Sequence, residues 1–442
     1  MSELEPQKQS DFMIEKIKER PINKKKLLRR TLLTASMAVI FGLIACFTFL
    51  VLEPVLSNWL HPEEAPQMVV FPEDREEMSP ADMLEDSIHQ EQDVQPDQGT
   101  VTMEKEQIEA MLSGVKFDLK NYRQMYEAMT DYVDELKPSM VTITGITSNV
   151  DWFNNVQEST KTSVGALIAN NGKELLVVAD YKPLKDADRL TGTFYGGTQL
   201  SLRLMDTDPV TELAVFAASM ENISTEYLNS VLKIAPLGST NLNNMSGTPV
   251  VAVGSPLGVS DSLGYGMISS SSSYMQSMDA NIKLLQTDIV GSRNANGMLF
   301  NLNGELIGII TNYRKSYDME KMITAYGISN LKKRIEKISN GEKLPYLGIS
   351  GINVTRQAHD ELNVPYGAYV NEIDIDSPAM HAGIQKGDII TKIDNRSIMS
   401  FDEYTSVLLQ LDTGSEISLL VMRQVQNEYR SMDIKITIGE LE

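Results

Sequence analysis

The apolar and polar positions of this chain change rhythm several times, and each change predicts a different element. Residues 31–52, TLLTASMAVIFGLIACFTFLVL, are uncharged and mostly apolar. As a helix rising 1.5 Å per residue this run reaches about 33 Å, enough for a hydrocarbon core of about 30 Å, so it predicts a transmembrane helix. The pattern then dissolves. From Glu53 to Gly99 there are 13 Asp/Glu against one Arg, with several Pro and few aromatics. Such a composition cannot bury a core, and residues 53–103 are expected to form an acidic, disordered stalk. Residues 104–137 return to helical spacing, with Met125, Met129 and Val133 on one face, until Pro138 ends the run.

From 138 to 330 the texture is short β-rich runs separated by Gly and Asn. VGALIANNGKELLVVA reads as a hairpin with Asn171-Gly172 at its turn, and TPVVAVGSP, YGMISSSSSYM and GELIGIIT read as further strands. Many strands at short spacing predict an all-β barrel or sandwich. A linker helix is expected over 331–344. The last module, 345–442, has strands around two helices with clear start signals. Ser377 caps one, with Pro378 in its first turn and Gly383 beyond its end; Ser400 and Glu403 suggest a capping box for the other.

Charge sharpens the picture. The net charge is −21, yet residues 1–30 carry nine Lys/Arg and five Asp/Glu, a net of +4. The basic flank KKKLLRR precedes the apolar run and the acidic segment follows it, which places 1–30 in the cytoplasm and the bulk outside. A cleaved signal peptide fits less well, because the run is too long and no A-x-A-like site follows it. An acidic exterior of this kind repels phosphates and excludes nucleic acid as a partner. The one cysteine, Cys46, lies inside the apolar run, so the outer domains have no disulfide. LIAC resembles a bacterial lipoprotein box, but apolar FTFLVL follows it, and Cys46 reads as a membrane-facing residue without lipid.

Several segments, in order, resemble the HtrA family of serine proteases. LKPSMVTI looks like the start of its protease domain, DTDPVTELAVF like its D-x-x-x-D-L-A-V segment, and VVAVGSPLG like its glycine-bounded strand and turn. QTDIVGSRNANGMLFNLNGELIGIIT resembles the nucleophile loop and following hairpin. YLGI with SPAMHAGIQKGDIITKIDN resembles the PDZ module that comes after it. The likeness covers about 133–440. It implies a mostly β chain: a two-barrel trypsin-like domain, then an α+β PDZ domain, behind an N-terminal transmembrane helix.

The catalytic positions depart from that pattern. A Ser-His-Asp triad needs a hydroxyl, an imidazole base and a carboxylate to orient it. By resemblance the nucleophile position is Ala295, the aspartate position Glu212, and the histidine position Lys182, or Tyr181 if the loop shifts by one. The four histidines are His61, His89, His359 and His381, so none lies between Ser139 and Asn340. Arg293 and Asn296 replace loop glycines that would shape an oxyanion hole. No Ser-His-Asp chemistry is expected, and no cofactor or metal. A Ser292–Lys182 dyad is the route by which an extracytoplasmic serine endopeptidase with an unconventional site would remain the alternative. The 24 Met read as core filler.

What the resemblance retains is binding. A PDZ domain takes an extended peptide as an added strand and receives its terminal carboxylate on loop amides. That loop is YLGI, with Gly348 allowing close approach; Tyr346, Leu347, Ile349 and Val407 or Leu408 are expected to shape the pocket for the last side chain. His359 and His381 read as surface or helix residues of this module. The resemblance implies a membrane-anchored pseudoprotease of a bacterium, binding extracytoplasmic peptides or protein C-termini. It implies assembly as a homotrimer or with active family members. A mainly structural platform is the third reading.

Overall fold

A computed structural model describes residues 24–60, 66–74, 118–150, 156–221, 223–242, 244–313, 321–426 and 428–441. The chain divides into two units, Met1–Ala65 and Pro66–Glu442. The first contains helix α1, Lys24–Leu60, which takes in the whole apolar run and continues past Leu52. Its described side chains from 32 to 48 are all exposed, Cys46 among them. Among the described residues no helix is long and apolar enough to cross a membrane, so the anchor at 31–52 stands as a proposal.

The second unit begins with a seated strap. Residues 66–74 fall inside the segment expected to be a disordered stalk, yet Val69 and Phe71 are buried. The strap is read by side chains: Asn340 Oδ1 accepts the Val69 N–H at 2.8 Å, and Asn340 Nδ2 donates to the Val69 carbonyl at 2.8 Å. Helix α2, Leu119–Leu136, starts at a full capping box of Asp118 and Asn121. It buries Val133 and Leu136, and the Tyr132 hydroxyl donates to the Asn301 carbonyl. Residues 104–117 of the expected lead-in lie outside the described residues.

The first half of the β domain has strands β1 (Met140–Val150), β2 (Val156–Asn170), β3 (Glu174–Asp180), β4 (Arg189–Thr193), β5 (Gln199–Ser201), β6 (Arg203–Asp208) and β7 (Leu213–Ser219). They pair in the order β5-β4-β1-β2-β3-β7-β6. The predicted β2–β3 hairpin forms, with Gly172 at φ +88° and the Asn171 side chain accepting the N–H groups of Lys173 and Glu174. This half was expected as a barrel; among the described residues no ladder joins β5 to β6.

After helix α3 (Thr225–Ser230) come β8 (Pro249–Ser255), β9 (Ser262–Ser277), β10 (Ala280–Val290), β11 (Asn296–Asn301), β12 (Leu306–Thr311) and β13 (Met322–Gly327). These six close into a barrel, β10-β13-β12-β11-β8-β9. Helix α4, Ile328–Ser339, is no mere linker. Ile328, Leu331, Ile335 and Ile338 recur at helical spacing and join the same apolar cluster as Leu213 of β7 and the barrel residues Val251 and Phe300. Burial on the order of 1.5–3 kcal/mol per such side chain makes α4 part of the body.

The last module carries β14 (Pro345–Tyr346), β15 (Ile349–Asn353), α5 (Arg356–Leu362), β16 (Ala368–Ile373), α6 (Pro378–His381), β17 (Ile389–Ile393), β18 (Arg396–Ser397), α7 (Phe401–Leu408), β19 (Glu416–Val425), β20 (Glu428–Thr437) and β21 (Gly439–Glu440). The main sheet runs β15-β16-β17-β19-β20, with β15 at its end. Ser377 and Ser400 cap α6 and α7 as expected. The Glu403 carboxylate takes the Met399 N–H at 2.7 Å, one residue before the capping-box position.

Candidate functional site

A cleft of about 520 Å³ opens in the β domain, lined by Asp180, Lys182 and Glu212 with Thr311, Asn312 and Tyr326. Lys182 follows β3 and Glu212 precedes β7, and the β3–β7 ladder brings the two together. Lys182 Nζ lies 3.1 Å from Glu212 Oε2, with both side chains more than half exposed. Glu212 sits at φ +56°, with its N–H on the Asp208 carbonyl and its own carbonyl accepting the Tyr181 N–H. Beneath them Asp180 accepts the Lys182 backbone N–H at 2.9 Å. Burial pushes its carboxyl above the usual range, further than that amide pulls it back.

Ala295 is not among the residues lining this cleft. It is 1% exposed and packs in an apolar cluster with Leu285, Ile289 and Ile323. Its N–H, which stands at the nucleophile position, closes a turn onto the Ser292 carbonyl at 3.2 Å. That donor therefore points into the loop. Neither Arg293 nor Asn296 adopts positive φ, so the glycine-dependent geometry expected to be distorted is simply not taken up. Asn296 starts β11, and its Oδ1 accepts the Val164 N–H at 2.9 Å, tying the barrel to β2. Ser292 Oγ accepts the Asn294 N–H at 3.2 Å, while Lys182 Nζ is engaged by Glu212. Among the described residues no cluster of His, Cys, Asp or Glu is arranged to hold a metal.

The residues expected to bind peptide are distributed in a way the sequence did not suggest. Leu347, Ile349 and Leu408, expected to shape a terminal pocket, are each at most 1% exposed in the module's core, and Val407 packs partly buried against it. Their side chains support the loop from inside. The loop's backbone N–H groups turn instead toward the β9–β10 turn of the barrel, and the loop itself is buried. Gly348 sits at φ +81°, and a Cβ there would fall 2.3 Å from Ser377 Cβ, so only glycine fits. Tyr346 donates its hydroxyl to Asp374 Oδ2 at 2.6 Å.

The loop amides are occupied. Leu347 and Gly348 donate to Asp279 Oδ2 at 2.7 and 2.6 Å, and Ile349 donates to Asp279 Oδ1 at 3.2 Å. Tyr404 of α7 donates its hydroxyl to Asp279 Oδ1 at 2.5 Å. Asp279 comes from the β9–β10 turn of the barrel. Burial pushes its carboxyl up, and the tyrosine and amide hydrogen bonds only partly counter this. Sequence reading missed Asp279, Tyr404 and the buried pair Asp208–Arg334, because each acts across a large chain separation.

Residues 164–309 match the trypsin-like peptidase domain family and residues 345–436 the PDZ domain family. The chain is 25% identical over 284 residues to a probable periplasmic serine endoprotease DegP-like of Halomonas elongata, covering 62% of this chain and 56% of that one. It is 25% identical over 324 residues to the serine protease Do-like HtrB of Bacillus subtilis, 67% of this chain and 68% of that one. Against the putative serine protease HhoA of Synechocystis it is 28% identical over 275 residues, 59% and 66% of the two chains. Among solved structures, the HtrA-type protease AlgW with a decapeptide gives a TM-score of 0.51 at 19% identity, covering 71% of this chain and 98% of that one. AlgW with a tripeptide also gives 0.51, at 20% identity. That likeness is one of fold. Two matched domains in this order, with these relatives, support an HtrA-family architecture for the chain.

Proposed function

We propose that this chain is a membrane-anchored, extracytoplasmic pseudoprotease of the HtrA type, which captures peptides or protein C-termini through its PDZ domain and does not cleave them. The observation that carries the reading is Ala295: a buried methyl stands where the attacking hydroxyl belongs, and its N–H is spent on the Ser292 carbonyl. Acyl transfer needs a nucleophile, a base and converging amide donors. The Lys182–Glu212 ion pair takes the place of base and orienting acid, and no histidine occurs between Ser139 and Asn340.

Support for binding is the amide loop at 347–349 and the structures of the similarly folded HtrA-type protease AlgW with a decapeptide and with a tripeptide. The uncharged run at 31–52 inside the continuous α1 supports an anchor, and the periplasmic naming of relatives supports an exterior location for the body. Assembly as a homotrimer, or with active family members, follows from the family likeness.

The deciding experiment is hydrolysis of labelled casein by the detergent-solubilised chain. We expect no turnover above buffer. Turnover that survives repurification and vanishes in Lys182→Ala would replace this reading with a serine endopeptidase of unconventional site.

A further inference from the structure

A C-terminal residue offers a receptor its own N–H and, one carbon away, a carboxylate. An aspartate offers the same pair with one extra methylene between them. Asp279 delivers both to the PDZ loop. Its N–H donates to the Ile349 carbonyl at 2.7 Å, and its carboxylate takes the N–H groups of Leu347, Gly348 and Ile349 together with the Tyr404 hydroxyl. The residue is 4% exposed. It sits at the tip of a two-residue turn, Met278–Asp279, closed by the Ser277–Ala280 pair, at a φ of +50° that aspartate tolerates. The hairpin also grips the facing helix: Asn281 Nδ2 donates to Asp402 Oδ1 at 3.0 Å, in the first turn of α7. Both walls of the groove are thus held by the barrel.

We propose that Asp279 is a built-in ligand of the PDZ carboxylate loop, keeping the receptor closed until the C-terminal carboxylate of another protein displaces it; this rests on the reading of the module as a C-terminal-peptide receptor. Displacement swaps one carboxylate for another, so the loop amides and Tyr404 are not left bare. β15 is the end strand of its sheet, and an arriving chain that takes over the Ile349 carbonyl continues along it by backbone pairing. Gln276 and Ser277, at the base of the same turn, line the cavity that holds Lys182 and Glu212.

A closed receptor binds more weakly by the fraction of time it is open. The test uses the full chain in detergent on an array of immobilised octapeptides with apolar last residues, each as free acid and as amide. Wild type is compared with Asp279→Ala, Asp279→Asn and Tyr404→Phe. The Asp279 variants are expected to saturate free-acid spots at a protein concentration about tenfold or more below wild type, with Tyr404→Phe close to wild type because its hydroxyl serves both carboxylates. Circular dichroism melts establish that each variant is folded; should Asp279→Ala unfold, Asp279→Asn carries the comparison. Equal saturation by wild type and the folded Asp279 variants overturns the internal ligand and leaves the receptor standing. Capture that ignores amidation overturns the carboxylate competition. Absence of binding by every folded variant removes the receptor, and the proposal with it.

Discussion

Lys182 Nζ meets Glu212 Oε2 at 3.1 Å, at the two positions where the family likeness puts an imidazole and its orienting carboxylate. On the proposed reading, an ion pair stands in for a proton relay. Both side chains are more than half exposed, so the pair adds at most about 1 kcal/mol to stability. Its consequence is chemical: an ammonium held by a carboxylate has no free lone pair.

Restoring residue types should therefore not restore cleavage. The double variant Lys182→His with Ala295→Ser is expected to leave casein hydrolysis at the buffer rate. A hydroxyl at 295 enters a buried apolar cluster, and the adjoining amide remains turned onto Ser292. Cleavage at a measurable rate would show that the loop still reaches an active geometry.

A second pair carries far more stability. Arg334 of α4 reaches Asp208 at the end of β6 with Nε at 2.7 Å and an Nη at 2.6 Å, both residues 3% exposed. Removing one partner strands the other charge in the interior. Arg334→Met is expected to cost about 3–5 kcal/mol, read as a fall in the urea midpoint. Replacing both residues with apolar ones of similar volume should recover much of that loss.

Acid titration should set the two buried aspartates apart. Burial pushes Asp208 up, but the Arg334 guanidinium, the Thr211 hydroxyl and the Val210 amide outweigh it and hold the carboxyl below its ordinary value. Its contribution is present above the unfolded value of about 4 and is lost as pH falls through the lower folded value. Asp279 is shifted the other way, against Tyr404 and the loop amides. Between its unfolded and raised folded values the folded chain holds the extra proton, so stability falls as pH rises. In urea midpoints followed against pH, Asp208→Asn should flatten the acid-side loss, and Asp279→Asn should steepen it. The same slope change from both variants would refute the assignment.

The strap should peel away when its side-chain clamp is removed. Asn340→Ala leaves the Val69 N–H and carbonyl without partners, a cost of about 2 kcal/mol. The remaining ties are Gln67 N–H on the Asn171 carbonyl at 2.9 Å, Phe71 N–H on Glu336 Oε2 at 3.0 Å, and Lys332 Nζ on the Pro72 carbonyl at 3.3 Å and on Asp74 at 2.6 Å. Hydrogen exchange at Val69 and Phe71 should accelerate by about tenfold or more. An unchanged rate would mean that burial of the two side chains alone seats the segment.

Removal of residues 1–60 should shift the protein from the membrane pellet to the soluble fraction. The full chain should resist extraction by salt and yield to detergent, since an apolar span is held by burial and not by charge. Salt-extractable full-length protein would reduce the run at 31–52 to a surface contact.

Much of this architecture was legible as pattern. Alternation with turn residues marked the β2–β3 hairpin and strands β8, β9 and β12, and Ser377-Pro378 and Ser400 marked the starts of α6 and α7. Local signals suffice there because capping, φ preference and side-chain alternation act over a few residues. They marked a helix at α4 but not its packing, because its apolar face looks like that of any short amphipathic helix until the barrel covers it. The strap failed for a different reason: the acidic composition of the segment hides the two side chains, Val69 and Phe71, that it buries.

For the site, the chain itself settled what is missing. A list of residues is enough to show that the β domain holds no histidine and that alanine stands at position 295, because chemistry without the atoms is impossible in any fold. What occupies the PDZ loop was decided only by tertiary structure. Asp279 lies 69 residues from Gly348 along the chain, and nothing in a two-residue turn records which amides it will meet. Only packing of the barrel against the module brings that carboxylate to the three N–H groups, since a buried charge is placed by the sum of its distant partners and not by its neighbours in sequence.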